Sequence, residues 1–281
     1  MNAKTWTQVT AFLPGTPEDW AVWHEPFEQH GIPGTVQTDQ PPTMSGYAYE
    51  PEPTTLQALI SQLESLGASK VEVEEVVEED WAEAWKQYFE PRRVGERVVI
   101  RPTWREYPSE TGDAVIVLDP GQAFGTGDHP TTRMCLELMQ RVDLVGKSIA
   151  DVGCGSGILA VGAKLLGAGP VVANDIEAAS VESAQENAER NGVEYDVRLG
   201  AGFDPYGPEE TFEIVLSNII SAALIQLAPS CARRVRPGGD WIVSGVIEAN
   251  WMDVREAAEK AGFVYVHHLE ENGWIAAHFR R

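Results

Sequence analysis

The feature that most constrains the fold is a regular alternation of short apolar runs and amphipathic segments between residues 148 and 262. The runs SIADVG, VVANDI and FEIVLSNII each precede a segment with the apolar spacing of a helix. Strands that alternate with helices form a mostly parallel sheet covered on both faces. The nearly continuous apolar run in FEIVLSNII suits a strand buried on both sides. We therefore predict an α/β, doubly wound domain, closed by a terminal hairpin.

The first 77 residues carry a different pattern. Four short runs read as strands, and two segments between them have helical spacing of their apolar residues. The order strand, helix, strand, strand, helix, strand is that of a ferredoxin-like α+β unit, which we predict for residues 1–77. The predicted strands span 5–13, 34–40, 46–50 and 70–77, and the predicted helices span 17–31 and 54–67.

Residues 78–95 join the two patterned regions. In EEDWAEAWKQYFEP four aromatic side chains recur at one-turn spacing, and a proline ends the segment. This pattern predicts a linker helix whose aromatic face packs on one or both domains. Residues 96–281 then form the larger domain, which opens with RVVIRPTW and AVIVLDP, two runs that we expect to pair like a hairpin.

The charge of the chain indicates what it binds. The formal net charge is −22, and the first 95 residues, with 16 acidic and five basic side chains, carry −11 of it. Because nucleic acid is held by basic side chains that neutralise phosphates, a direct nucleic-acid partner is not expected. An acidic surface instead attracts a basic protein by long-range steering.

Other features bear on compartment and metals. The three cysteines are far apart and form no Cys-x-x-Cys pair, so neither a disulfide framework nor a metal site is expected. No apolar stretch approaches the length of a membrane span, and the N-terminus lacks the apolar core of a signal peptide. A cytoplasmic protein is the expectation.

The glycine-rich segment DVGCGSG, residues 151–157, lies between the first predicted strand and the first helix of the alternating region. Ligands in such sheets bind at the carboxyl ends of the strands. A dinucleotide-binding loop requires Gly-x-Gly-x-x-Gly, but here the third glycine comes one position early. The pattern acid-x-Gly-x-Gly-x-Gly is typical of methyltransferases that use S-adenosylmethionine. We expect Asp151, Gly153 and Gly155 to take part, with Asp151 orienting the ammonium group of the cofactor.

Two further polar residues follow later strands. Asp175 comes 22 residues after Gly153, where a carboxylate accepts both ribose hydroxyls in dinucleotide and adenosylmethionine enzymes alike. Asn218 ends the fourth strand of the alternation, where amine methyltransferases place an Asn or Asp that holds the target nitrogen. Ile219 and Ile220 follow it instead of the Pro-Pro of DNA amine methylases, which disfavours a flipped base. The alternative for both polar residues is helix capping.

A second glycine-rich segment, DPGQAFGTGDHPTT, precedes the first one and lacks the Gly-Lys-Ser/Thr of a phosphate-binding loop. It leads into a predicted helix that begins near Thr131 and Thr132. Hydroxyl and free N–H groups at a helix start can bind a carboxylate. We predict that this segment folds over the cofactor as a lid, with Thr132 at the carboxylate and Phe124 as a wall for the amine.

With both loops, SNII and the acidic N-terminal third, the chain resembles the PrmA family of bacterial ribosomal protein methyltransferases. DPGQAFGTGDHPTT carries most of the resemblance, followed by DVGCGSGILA and DWAEAWKQYF. Asp128 departs from the Thr or His that is common in that family. The resemblance implies a seven-stranded, Rossmann-like methyltransferase domain and cofactor contacts from Thr132, Gly153, Asp175 and Asn218.

The resemblance also implies a reaction and a partner. The substrate would be the basic stalk-base protein of the large ribosomal subunit, number eleven, methylated on lysine side chains and on its N-terminal amine. Residues 1–77 would recognise it. We expect Asn218 to hold the amine, find no dedicated general base, and interpret His129 as a structural residue of its loop.

Three alternatives stay open. The first is a methyltransferase that acts on another protein or on a small-molecule amine. The second is a nicotinamide-dependent oxidoreductase, which the glycine spacing disfavours. The third is a non-catalytic ribosome-assembly protein that kept the fold.

Overall fold

The computed structural model describes residues 5–15, 17, 20–32, 35–39, 41–77, 89–119, 127 and 129–281. The chain divides into two compact units, residues 1–88 and 89–281. The predicted linker helix lies almost entirely outside the described residues. Its predicted end does not: Arg92–Val94 form a strand that belongs to the second unit. In the part of the chain that the structure describes, no helix is long and apolar enough to cross a membrane.

The described residues of the first unit form four strands and two helices, in the predicted order. Its sheet has the strand order β2-β3-β1-β4, and every neighbouring pair is antiparallel. Pro26 lies inside α1, which continues past it without a break. The elements are β1 (Thr5–Phe12), α1 (Ala21–Gln29), β2 (Thr35–Asp39), β3 (Pro42–Tyr49), α2 (Pro53–Ser65) and β4 (Lys70–Val77).

One face of this sheet is buried. Val9 and Ala11 of β1 are fully buried in a core with Phe27 of α1 and Leu63 of α2. Gly46 of β3 allows this packing, since a Cβ there would lie 2.5 Å from the ring of Phe27. Side chains along a strand alternate between faces, so the even-numbered residues of β1 point to the opposite face of the sheet.

The second unit begins with a small sheet, β5 (Arg92–Val94), β6 (Val98–Arg101) and β7 (Ala114–Val117). We expected the second and third of these to pair as a hairpin, and this prediction was wrong. β6 and β7 are parallel, and β6 makes its antiparallel pair with β5 instead. The twelve residues 102–113 provide enough chain to return to the start of the strand, which parallel pairing requires.

The main sheet of the second unit has seven strands in the order β10-β9-β8-β11-β12-β14-β13. The strands from β10 to β12 are parallel to their neighbours, whereas β14 is antiparallel to both β12 and β13. The strands are β8 (Ile149–Val152), β9 (Val171–Asp175), β10 (Asp196–Leu199), β11 (Phe212–Asn218), β12 (Val235–Ile247), β13 (Val264–Glu271) and β14 (Trp274–Arg280).

Helices connect these strands, and the α/β prediction is confirmed. Two hydrophobic clusters lie on the two sides of the sheet, as expected for a doubly wound arrangement. The terminal hairpin is also present, but its second strand inserts beside β12 and leaves β13 at the edge. The helices are α3 (Pro130–Met139), α4 (Ile158–Leu165), α5 (Ala178–Arg190), α6 (Ser221–Arg234) and α7 (Trp251–Lys260).

Candidate active site

A cavity of about 880 Å³ opens at the carboxyl ends of the central strands of the second unit. The strand order reverses here: from β8 the chain continues to β9 and β10 on one side, and then crosses to β11 and β12 on the other side of β8. Such a switch point is where open α/β sheets bind ligands. Four of the predicted residues line the cavity: Gly153, Gly155, Asp175 and Asn218.

The glycines of DVGCGSG are required by their backbone and by their neighbours. Gly153, Gly155 and Gly157 have φ of 80°, 53° and 76°, in the left-handed region that favours glycine. A Cβ on Gly153 would come within 3.0 Å of Ile219 Cγ2, and one on Gly157 would lie 2.9 Å from Ala184 Cβ. The loop is therefore packed closely against the segments that follow β11 and against α5.

Asp175 is held by its own surroundings in a position that suits a diol. Its Oδ2 accepts from the N–H of Gly155 at 2.9 Å, and its Oδ1 accepts from the N–H of Glu177 at 3.1 Å. Each carboxylate oxygen has a further lone pair, so both can accept another hydrogen bond. The N-cap of α5 is Glu177, and Asp175 therefore does not occupy the capping position.

Asp151 lies beneath the cavity and does not line it. The residue is fully buried, its Oδ2 accepts from the N–H of Ala160 in the first turn of α4 at 3.2 Å, and its Oδ1 has no hydrogen-bond partner among the described residues. Burial raises the pKa of Asp151 to about 7; the Ala160 N–H opposes this and the charge of Asp175 adds to it. A buried carboxyl with one free oxygen calls for a donor or a cation.

Asn218, the last residue of β11, is oriented by a contact with the first turn of helix α3. Its Nδ2 donates to Thr132 Oγ1 at 3.4 Å, and its buried Oδ1 has no partner among the described residues. It does not cap α6, whose N-cap is Ile220 without a side-chain bond. The amide thus has one donor engaged and its acceptor available, and an available acceptor is what a hydrogen bond from an amine requires.

Thr132 reaches the site through Asn218. Its side chain is fully buried and does not line the cavity, and its N–H donates to the carbonyl of His129 at 3.1 Å. Its direct contact with a cofactor carboxylate stays a prediction. His129 is the N-cap of α3, pairs with Thr131 Oγ1 at 2.7 Å and packs edge-on against Trp274. These contacts favour the structural interpretation of His129.

Most of the first glycine-rich segment lies outside the described residues. Phe124 and Asp128 are among the residues that the structure does not describe, so the proposed lid and amine wall stay predictions. Gly127 is described, and its φ of 87° and close approach to Ile100 also require a glycine. Asp119, at the other end, accepts hydrogen bonds from the N–H and hydroxyl of Thr103 at 2.7 and 3.0 Å. Both ends of the segment are therefore anchored.

Sequence reasoning missed part of the cavity wall. Ile176 and Ile220, each about 70% exposed, follow the polar ends of β9 and β11 and line the cavity. Phe203, in the loop after β10, also lines it. The available signal was a large apolar residue directly after a polar strand end, where an exposed apolar side chain often marks a binding site.

Metal chemistry was not expected from the sequence. Among the described residues no group of three or more His, Cys, Asp or Glu side chains is placed to hold a metal ion. The cysteine next to the site, Cys154, is almost buried, and burial raises the pKa of its thiol well above the usual value. A buried thiol of this kind is a poor nucleophile and a poor ligand.

Comparisons with known proteins agree with this geometry. A family model described as ribosomal protein L11 methyltransferase (PrmA) matches residues 15–281. A protein of that name from Symbiobacterium thermophilum is 43% identical over 253 residues, covering 85% of this chain and 83% of the relative. Another, from Pelotomaculum thermopropionicum, is 40% identical over 265 residues, covering 92% and 83%.

A solved structure also matches. The crystal structure of a ribosomal protein L11 methylase from Lactobacillus delbrueckii subsp. bulgaricus superimposes with a TM-score of 0.64 at 29% sequence identity. The match covers 69% of this chain and 99% of that one. It supports the seven-stranded architecture described above.

Proposed function

Because the chain belongs to the ribosomal protein L11 methyltransferase family, we propose that it transfers methyl groups from S-adenosylmethionine to ribosomal protein L11. The acceptors are amines, both lysine side chains and the N-terminal amine of the substrate. One observation carries the proposal: Asp175, with an acceptor site on each oxygen, and Asn218, with a free Oδ1, line the same cavity.

The residues present fit S-adenosylmethionine. Asp175 offers two acceptors to the ribose hydroxyls, and the glycine turn at Gly153 and Gly155 lets the backbone approach the ligand. The free Oδ1 of Asp151 lies behind this turn and favours a cationic ammonium group, directly or through water. The bound cofactor supplies a methyl group on a positively charged sulfur.

Asn218 positions the acceptor. Its Nδ2 donates to Thr132, and its Oδ1 has no partner among the described residues, so Oδ1 can accept one hydrogen bond from an amine that enters the cavity. That bond directs the nitrogen lone pair toward the methyl group. Methyl transfer is an in-line displacement, so alignment of this kind is the main contribution that a protein can make.

The amine must be neutral to react. A free lysine side chain has a pKa of about 10.4, and an apolar environment lowers that value because it disfavours the charged form. Ile176 and Ile220 provide apolar surface at the cavity, in line with this need. The acidic side chains that recruit a basic substrate belong elsewhere on the protein.

The first unit supplies such a surface. On the sheet face opposite its core, Glu72 and Glu74 lie across from Thr10 and Gln8. Trp6 lies next to them and packs against Tyr49, with ring centroids 5.4 Å apart and ring planes tilted by 60°. Neither α1 nor α2 packs on this face, since both helices pack on the other. Aromatic rings beside carboxylates suit lysine and arginine side chains. We assign recognition of the basic substrate to this face.

The rival activities can be separated by binding and by labelling. Titration of the protein with S-adenosylmethionine and with NAD tests the oxidoreductase alternative. Incubation with radiolabelled S-adenosylmethionine and purified L11 tests methyl transfer itself. Because the proposed substrate is a ribosomal protein, we also propose that the enzyme acts in the cytoplasm.

The variant Asn218→Ala tests the mechanism. We expect kcat for L11 to fall about 100-fold, because misalignment of the reacting atoms has a cost of that order. The affinity for S-adenosylmethionine should change little, since the ribose and ammonium contacts remain. Near-parental turnover would remove Asn218 from the mechanism, and the absence of any transfer to L11 by the parent protein would refute the proposed function.

A further inference from the structure

β12 contains a bulge beside the candidate active site. Val243 pairs with Ala277 of β14 and Val246 pairs with Ile275, so three steps along β12 correspond to two along β14. Ser244 and Gly245 of β12 therefore occupy the place opposite a single residue of β14. Gly245 has a φ of 83°. A glycine in the left-handed region at an inserted residue is a recognised form of β-bulge, and bulges are frequent next to active sites.

The bulge meets the chain where it leaves β11. Ser244 is the partner of Asn218 in the parallel pairing, and the carbonyl of Ser244 accepts from the N–H of Ile219 at 3.2 Å. Gly245 lies against the backbone of the same Ile219. A Cβ on Gly245 would come less than 3.0 Å from the Ile219 carbonyl oxygen and 2.8 Å from its carbonyl carbon.

Ile219 is enclosed from the opposite side as well. Its Cγ2 occupies the space that a Cβ on Gly153 would take. The residue directly after Asn218 therefore fits between two glycines: its backbone against Gly245 and its side chain against Gly153. The side chain of Asn218 donates a hydrogen bond to Thr132 at the long distance of 3.4 Å. Its position thus depends strongly on the backbone that follows it.

We propose that Gly245 is a positioning residue for methyl transfer, which acts by setting the backbone of Ile219 and hence the direction of the Asn218 amide. This inference rests on the proposed function. A carbon atom normally stays about 3.3–3.6 Å from a carbonyl oxygen. An alanine at 245 would therefore displace the Ile219 carbonyl by about 1 Å, since β12 is fixed between two strands.

Gly238 offers a matched control. It belongs to the same strand, β12, and has nearly the same φ, 78° against 83°. A Cβ at Gly238 has no atom within 4 Å. Gly238→Ala therefore introduces the same backbone strain as Gly245→Ala without the contact, and the difference between the two variants reports the contact with Ile219.

Two measurements on the full-length protein test the proposal. We expect kcat for L11 to fall about 10-fold to 100-fold in Gly245→Ala, since a shift of this size at a reacting centre has such an effect. Gly238→Ala should keep at least half of the parental kcat, and it should lose no more melting temperature than Gly245→Ala. The side-chain amide signals of Asn218 in the NMR spectrum of protein labelled with ¹⁵N-asparagine should shift in Gly245→Ala alone.

The outcomes separate the two claims. Equal kcat in the two glycine variants, or unchanged Asn218 amide signals in Gly245→Ala, would overturn the positioning role. If Gly245→Ala does not fold, Ile219→Ala replaces it: removal of the side chain beside Gly153 should lower kcat and shift the same signals, and parental values for both would overturn the proposal. A failure of the proposed function shows separately, as a parent protein that transfers no methyl group to L11.

Discussion

Asp151 gives a prediction in which two effects have opposite signs. The perturbation is Asp151→Asn, which keeps the shape of a fully buried side chain but removes its ionisation. In the folded protein without ligand, burial raises the pKa of Asp151 to about 7 from the ordinary value of 3.8. A raised carboxyl pKa means that stability is present at low pH and is lost as the pH rises through the folded-state pKa.

The size of the effect follows from that shift. Each pKa unit corresponds to about 1.4 kcal/mol, so a shift from 3.8 to about 7 lowers the free energy of unfolding by about 4 kcal/mol above pH 7. About 1 to 2 kcal/mol of this loss is already present at pH 5. Asparagine at this position has no such cost. Relative to the parent, the ligand-free variant should therefore gain about 2 to 3 kcal/mol of unfolding free energy between pH 5 and pH 8.

Cofactor binding should change in the other direction. The ammonium group of S-adenosylmethionine favours the ionised form of Asp151, so the affinity of the parent should rise with pH up to about 7 and then level off. Asp151→Asn should bind more weakly at pH 8 and lose this pH dependence. Urea unfolding and calorimetric titration between pH 5 and pH 8 measure the unfolding free energy and the affinity for S-adenosylmethionine.

A control and a refutation complete the design. Asp253→Asn is the control for the loss of one negative charge, because Asp253 is exposed in the first turn of α7. If the difference in unfolding free energy between Asp151→Asn and the parent were the same at pH 5 and pH 8, the argument from burial would be wrong. If the affinity of the parent for S-adenosylmethionine did not vary with pH, the proposed contact between Asp151 and the ammonium group would be wrong.

Two further predictions concern the cofactor and the partner. Asp175→Asn keeps the size of the side chain but replaces one acceptor oxygen by an NH₂ donor, which would face the N–H of Gly155 or of Glu177. The affinity for S-adenosylmethionine, measured by calorimetry, should fall at least 10-fold. Unchanged affinity would exclude the ribose contact. Glu74→Lys should raise KM for L11 several-fold at low ionic strength and leave cofactor binding unchanged. Glu64→Lys makes the same charge change at an exposed position of α2 and should leave KM for L11 unchanged. An equal rise of KM in both variants would indicate an effect of overall charge and not of a defined surface.

Much of the fold could be predicted because its signals are local. In the alternating region the runs SIADVG, VVANDI and FEIVLSNII each contain a strand whose ends lie within two residues of the ends of the run, since apolar spacing reports burial along a single element. The pairing of β6 and β7 was predicted wrongly for a related reason. Two nearby apolar runs carry no information about parallel or antiparallel pairing, and the third strand, β5, lay inside what was expected to be the linker.

The sequence by itself determined the elements of the candidate site: DVGCGSG as a turn between strand and helix, Asp175 and Asn218 at strand ends, and the resemblance to a methyltransferase family. Only the tertiary structure decided how they meet. Asn218 is 86 residues from Thr132, and the glycine that confines Ile219 comes from β12. Contacts of this kind depend on the strand order of the sheet, β8 beside β11 and β11 beside β12, which the spacing of apolar residues along one strand does not record.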